Sequence, residues 1–182
     1  MSHNSTPISQ KPTSQEPTKQ DSESLLPQVL RKALGKYPTG VAIVATRTAE
    51  GVPIGLTINS FASLSLTPPL VLWSLGTQSP NLANFNDCDH FSINVLSGEQ
   101  ADLAMRFASS KIENKFDGVG YDINSQGVPV IEGATATLVC KNVEQNAAGD
   151  HLLLIGHVLS TNSTEHSPLV FHQGKFTSLA SA

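Results

Sequence analysis

Residues 55–75, GLTINSFASLSLTPPLVLWSL, crowd hydroxyls and an amide between two apolar runs: Thr57, Asn59, Ser60, Ser63 and Ser65. Such groups, with backbone N–H, can hold a phosphate or the polar edge of a ring without any net charge. Alternation along an extended chain puts Thr57 and Asn59 on one side. Two further segments carry similar chemistry. Tyr37-Pro38-Thr39-Gly40-Val41 falls at a helix-to-strand junction, where glycine lets backbone approach a ligand closely. Ala148-Gly149-Asp150-His151 leads into a very apolar run, and a histidine at a strand mouth can stack on or hydrogen-bond a ligand near neutral pH. Each segment also has a plain structural reading: a helix terminator, a polar loop closed by Thr67-Pro68-Pro69, and a hairpin turn.

Other chemistries are excluded. There is no GxGxxG opening a helix, no GxxxxGK[ST], no HExxH and no GxSxG. GVGYDI at 118–123 lacks a third glycine and precedes no helix pattern. His151 and His157 share a strand face, but a metal site needs a third ligand and none is evident, so no metal is expected. The formal net charge of −4 and the lack of a Lys/Arg cluster give no sign of a nucleic-acid partner. No apolar run nears the roughly 20 residues that span a bilayer, and no basic-then-apolar start marks secretion, so a cytoplasmic location is expected. Cys88 and Cys140 form no CxxC pair and read as two reduced, partly buried thiols, with a disulfide between them as the alternative.

The elements that must position these residues are mostly strands. Residues 1–22 are rich in Ser, Thr, Gln, Pro and Lys and read as a disordered tail; 23–182 read as one domain. Ser24 is a plausible N-cap for a helix carrying Leu26, Val29, Leu30, Ala33, Leu34 and Tyr37 on one stripe. Strands are expected at 41–47, 54–58, 69–75, 90–96, 134–145, 151–161 and 169–176. A short helix begins near 79–85. Another spans roughly 98–108, with Ser97 and Gln100 as a capping box and Ala101, Ala104, Met105 and Ala108 on one face. A loop covers about 109–129, and NAAGD (146–150) joins two long strands. Six or seven strands linked mainly by hairpins predict a mainly β, antiparallel barrel with a few helices.

Taken together, YPTGVAIVATR, GLTINSFASLSLTPPLVLWSL, FSINVLSGEQADLAMRFA, NKFDGVGYD, GDHLLLIGHV and PLVFHQGKF resemble the short-chain flavin reductases, the reductase components of two-component flavin-dependent monooxygenases. The resemblance runs over about residues 25–179. It implies an FMN-binding split barrel, Greek-key-like and homodimeric, that reduces FMN or FAD with NADH or NADPH for a monooxygenase partner. Thr39, Gly40 and Val41 should lie beside the flavin ring. Thr57, Ile58, Asn59, Ser60 and Ser63 should grip its edge and ribityl chain, with Ser74 and Ser79 near the phosphate. Gly149, Asp150, His151 and Phe171 match the nicotinamide side, with His151 orienting that ring. No residue is required as acid or base, because the flavin itself accepts the hydride. Two departures stand out. His172 replaces a frequent aromatic residue, and Gly76 and Thr77 are uncharged where a basic residue is common. Two rivals share the fold. A pyridoxamine phosphate oxidase would need basic phosphate-gripping residues that are not evident, and a non-catalytic flavin- or haem-binding protein is left open by the fold alone.

Overall fold

The computed structural model describes residues 27–179; the expected tail and the Ser24 cap lie outside them. Helix α1 (Pro27–Leu34) belongs to a first unit that ends at Lys36. Eight residues make two turns, and by itself α1 buries no residue of its apolar stripe. The second unit begins at Tyr37 and carries every strand.

The apolar and β-branched run at 42–47 forms strand β2 (Ala42–Arg47), buried from Ala42 to Thr46 on both faces. Alternation divides its side chains between two cores. Ala42 and Val44 join Trp73, Phe85, Phe91 and Leu154 inside the barrel. Val41, Ile43 and Ala45 face Leu96, Ala104, Phe107 and Phe116 outside it. Trp73 meets Phe85 and Phe91 edge-on, with centroids 5.1 and 5.8 Å apart. Such pairs contribute about 0.5–1.5 kcal/mol beyond the area they bury.

Around β2 the chain builds one antiparallel seven-stranded sheet. Its strands are β3 (Pro53–Ile58), β4 (Ala62–Leu66), β5 (Pro69–Gly76), β6 (His90–Val95), β9 (Ala136–Ala148) and β10 (His151–Ser163), in the order β3-β2-β6-β9-β10-β5-β4. The β3-to-β4 link closes it: the Ser60 hydroxyl accepts from the Ser74 N–H at 3.1 Å and donates to the Ser74 carbonyl at 3.2 Å. A three-stranded sheet joins β1 (Thr39–Gly40), β11 (Val170–His172) and β12 (Lys175–Thr177), and β7 (Tyr121–Ile123) pairs with β8 (Pro129–Ile131). Two helices lie between strands, α2 (Leu82–Asp87) and α3 (Ala101–Ala108). The Ser97–Gln100 capping box is present ahead of α3.

The antiparallel β architecture agrees with the sequence reading, and several elements differ from it. Residues 62–66, read as a polar loop, are strand β4; β5 supplies the pairing that their serines do not advertise. The 109–129 stretch holds β7 and the start of β8. The single strand expected at 169–176 is a hairpin, turning at Gln173 (φ 50°) and Gly174 (φ 80°), two left-handed residues that define a type I′ turn. The five-residue link expected at 146–150 is a two-residue turn, because Ala148 pairs with His151. On α3, Ala104 and Phe107 are buried, whereas Met105 is 61% exposed.

Buried Asn94 ties β8 to the large sheet. Its amide donates to the Ile43 carbonyl (3.1 Å) and the Ser92 hydroxyl (2.9 Å). Its Oδ1 accepts from the Ile131 N–H (3.0 Å) and the Thr137 hydroxyl (3.4 Å). No described helix is long and apolar enough to cross a membrane. Cys88 and Cys140 are free thiols. Burial pushes Cys140 from 9.0 up to about 12, and burial raises Cys88 as well. The thiolate is the reactive form, so at pH 8 Cys140 should react with a disulfide reagent about a thousandfold more slowly in the native protein than in urea. The sign for stability follows: a raised thiol pKa leaves stability intact below pH 9 and erodes it as pH rises toward 12. Equal rates in native and unfolded protein would contradict this.

Candidate functional site

Strand β3 is an edge of the large sheet, so one row of its backbone N–H and C=O groups has no strand partner. Helix α3 packs on this strand. Gly55 permits the approach, since a Cβ there would come 3.0 Å from Phe107 Cε1. The Thr57 hydroxyl then donates to the Ala104 carbonyl at 2.7 Å and pins the helix over the strand's end. Beyond that point opens a cavity of about 240 Å³ lined by Val41, Thr57, Ile58, Asn59, Met105, Ala108, Phe171 and Phe176. Phe171 reaches it because β1 pairs with β11, Thr39 opposite Phe171 and Gly40 opposite Val170. Phe171 and Phe176 meet edge-on at 5.7 Å. The Thr39 hydroxyl oxygen is buried with no hydrogen-bond partner.

The structure thus gathers Val41, Thr57, Ile58, Asn59 and Phe171 around one cavity, with Thr39 and Gly40 one strand pairing away. Ser60 and Ser74 are bonded to each other at the barrel closure. Ser79 opens the turn into α2: its N–H bonds the Gly76 carbonyl at 2.9 Å and its hydroxyl accepts from the Asn81 N–H at 3.3 Å. Ser63 sits exposed on β4 opposite Val71 and lines none of the cavities described here.

Gly149, Asp150 and His151 form a second cluster, at the open end of β5. Gly149 (φ 61°) is the first residue of the two-residue turn, as a type II′ hairpin requires. His151 pairs with Gly76, two residues past Ser74, or about 6.7 Å along the strand. The Thr77 N–H and hydroxyl both bond the Asp150 carbonyl, at 2.9 and 3.1 Å. His151 Nδ1 lies 2.7 Å from Asp150 Oδ1. The hydrogen bond from His151, and then its charge, hold the Asp150 carboxyl below its ordinary range. His172 is half-buried opposite Lys175.

Sequence reasoning missed Met105, Ala108 and Phe176 as cavity walls. The helical period of 101–108 was legible, but which face meets the sheet depends on the Thr57–Ala104 bond between distant segments. It also missed Lys115. This residue lines a neighbouring cavity of about 330 Å³ with Asn81, Ser109, Ser110 and Glu113. Its ammonium donates to the Phe107 carbonyl at 2.8 Å, capping the end of α3, and burial lowers its pKa. A basic group therefore stands near the site from an element other than the Gly76–Thr77 strand end.

A closed antiparallel barrel with an uncharged, mostly apolar cavity at a free strand edge defines a split barrel that can hold a flat ring. The flavin reductase like domain family matches residues 34–180, and the chain belongs to that family. It is 44% identical over 146 residues to the FMN reductase (NADH) SmoA of Agrobacterium fabrum, covering 80% of this chain and 82% of that one. It is 38% identical over 155 residues to a flavin reductase of Pseudomonas putida, covering 85% and 91%. Among solved structures, the flavin reductase PheA2 superposes with a TM-score of 0.80 at 38% identity, covering 86% of this chain and 100% of that one. The NADH:FAD oxidoreductase SgcE6 of Streptomyces globisporus C-1027, in complex with NAD and FAD fragments, does so with a TM-score of 0.80 at 32% identity, covering 84% and 92%.

Proposed function

We propose that this chain is an NAD(P)H:flavin oxidoreductase that supplies reduced FMN or FAD to a partner flavin-dependent monooxygenase. The observation that carries the reading is the cavity at the edge of β3, lined by Thr57 and Asn59 and flanked by the buried, unpaired Thr39 hydroxyl. At about 240 Å³ it falls below the roughly 300–1,000 Å³ of pockets that take a whole drug-sized ligand. It therefore suits a ring system whose tail continues elsewhere. Bound there, flavin supplies the hydride-accepting chemistry. Thr39, Gly40 and Val41 border the ring, and Asn59 with the free β3 amides and Ser60 serves its polar edge, where fixed donors stabilise developing negative charge. Ser74 and Ser79 lie toward the phosphate, and Lys115 supplies the cation that Gly76 and Thr77 lack. Gly149, Asp150, His151 and Phe171 face the nicotinamide, with His151 orienting it.

Lys115 gives a separable prediction. Lys115→Ala should weaken FMN binding about tenfold, the scale of one charged hydrogen bond, and leave riboflavin binding unchanged. Equal losses for both ligands, followed by flavin fluorescence, would remove Lys115 from the phosphate.

The reading includes a cytoplasmic homodimer. Free thiols such as Cys88 and Cys140 persist in that compartment. Strand β4 is an exposed sheet edge carrying Leu64 and Leu66, the latter 91% exposed, and Val143 and Leu159 add exposed apolar area on β9 and β10. Unpaired apolar edges are surfaces that proteins normally cover. Leu66→Glu should shift sedimentation toward a monomer; an unaltered dimer would move the interface elsewhere.

The decisive experiment mixes purified protein, NADH and FMN or FAD and follows absorbance at the nicotinamide band. Turnover is expected with free flavin. Flavin binding without NADH oxidation would make the protein a carrier instead.

A further inference from the structure

Residues 109–120 join α3 to β7 with no helix or strand of their own, yet they carry Lys115, the cation assigned above to the flavin phosphate. Such a segment has no ladder to fix it, so other contacts must set where Lys115 points. Two are present. Phe116 is buried edge-on against Phe107 and Tyr121, with centroids 4.9 Å apart in each pair. Apolar burial is non-directional: it sets the depth of the loop but not the aim of its backbone. Arg106, on the last turn of α3, supplies the aim. Its Nε donates to the Lys115 carbonyl at 2.7 Å, and its Nη2 donates to the carbonyls of Asn114 (3.3 Å) and Asp117 (2.6 Å). These acceptors lie on both sides of Phe116, so one planar guanidinium gathers the loop around itself. Held this way, Lys115 Nζ reaches back to the Phe107 carbonyl at 2.8 Å.

Arg106 does not line the cavity that holds Lys115. It lines a separate one of about 720 Å³, together with Asp102 and Glu132, and Ile112 borders both, so the loop is the wall between them. Two carboxylates beside one guanidinium make that larger space unsuited to an anion, which leaves Arg106 no phosphate of its own to bind. It makes no ion pair among the described residues, and its hydrogen-bond acceptors are all loop carbonyls. We propose that Arg106 is a positioning residue for flavin: it clamps the loop so that Lys115 meets the terminal phosphate of FMN, without touching the flavin itself. The proposal rests on the flavin reductase reading and deepens it. A loop fixed beforehand need not be ordered when the ligand arrives, so the clamp raises affinity for a phosphorylated flavin in particular. Lysine at this position would offer one ammonium in place of a rigid fork and could hold only part of the loop.

The test is a double-mutant cycle on the full chain: wild type, Arg106→Ala, Lys115→Ala and the two together, with Arg106→Lys as the conservative variant and melting curves as the folding control. Flavin fluorescence gives the Kd for FMN and for riboflavin, which lacks the phosphate, with no NADH present. Trypsin cleavage after Lys111, an exposed residue of the same loop, is followed by mass spectrometry. Arg106→Ala should raise the FMN Kd about tenfold, as Lys115→Ala does, and leave riboflavin binding unchanged. Arg106→Lys should lose less, and cleavage after Lys111 should quicken in both Arg106 variants. Because the two residues act through one contact, the double variant should stay near tenfold, whereas independent effects would multiply to about a hundredfold. A multiplied loss overturns the proposal. So do equal losses for FMN and riboflavin, or wild-type FMN affinity in a folded Arg106 variant. If Arg106→Ala does not fold, Arg106→Lys carries the same cycle. Wild-type protein that binds neither flavin would defeat the flavin reductase reading instead, and the cleavage rates would still show whether Arg106 holds the loop.

Discussion

Asn94→Leu is expected to lower stability by at least about 3 kcal/mol, and thus Tm by roughly 6–12 °C for a protein of this size. Asn94 is wholly buried, and its amide uses both ends. Leucine fits the volume but removes all four hydrogen bonds and strands the Ile131 N–H and the Thr137 hydroxyl, while the Ser92 hydroxyl keeps the Pro129 carbonyl as its acceptor. Each buried polar group left unpaired costs about 1–3 kcal/mol, and domains are stable by only about 5–15 kcal/mol. The effect should also be local, loosening β8, whose Ile131 N–H is one of these groups. Urea melts with the variant within 1 kcal/mol of wild type would show that Asn94 is not what fastens β8.

What the sequence made legible, and what it did not, follows from the range over which each signal acts. Strand β2 could be read from VAIVATR because five successive buried residues leave a continuous apolar run. The Ser97–Gln100 box could be read because both of its hydrogen bonds lie within four residues. Strand β4 could not: Ser63-Leu64-Ser65-Leu66 alternates, but its leucines are exposed and meet no core of their own, so β5 and the sheet, not local preference, make it a strand. The grouping of Val41, Thr57, Asn59 and Phe171 came from family resemblance. No periodicity places Phe171 beside Thr57, because the β1–β11 pairing joins residues far apart in the chain. Lys115 was invisible for the same reason. A lysine in a loop signals nothing until Arg106 and the end of α3 fold that loop back over the site.

His151→Ala should lower kcat/KM for NADH about 10–100-fold, while flavin affinity and Tm stay near wild type. The scale is that of losing one well-placed polar contact in the transition state. The geometry separates this from a structural effect. The turn that carries His151 is fixed by backbone: Gly149 in its left-handed conformation, the Ala148–His151 pairing, and the Asp150 carbonyl bonded twice by Thr77. None of these uses the imidazole, and the ring is 47% exposed, so its removal leaves no cavity. What the ring does is aim. Nδ1 is engaged by Asp150 Oδ1 at 2.7 Å, which fixes the ring plane and leaves Nε2 as the contact atom. Asp150→Asn should therefore show a smaller loss of the same kind, because the amide oxygen can still accept from Nδ1. Since the hydride goes to flavin and no protein acid is needed, the loss should fall mainly on KM. A fall in kcat alone, with KM unmoved, would assign His151 to the reacting atoms rather than to the holding of the donor. An unchanged kcat/KM would take the hairpin turn out of the site altogether.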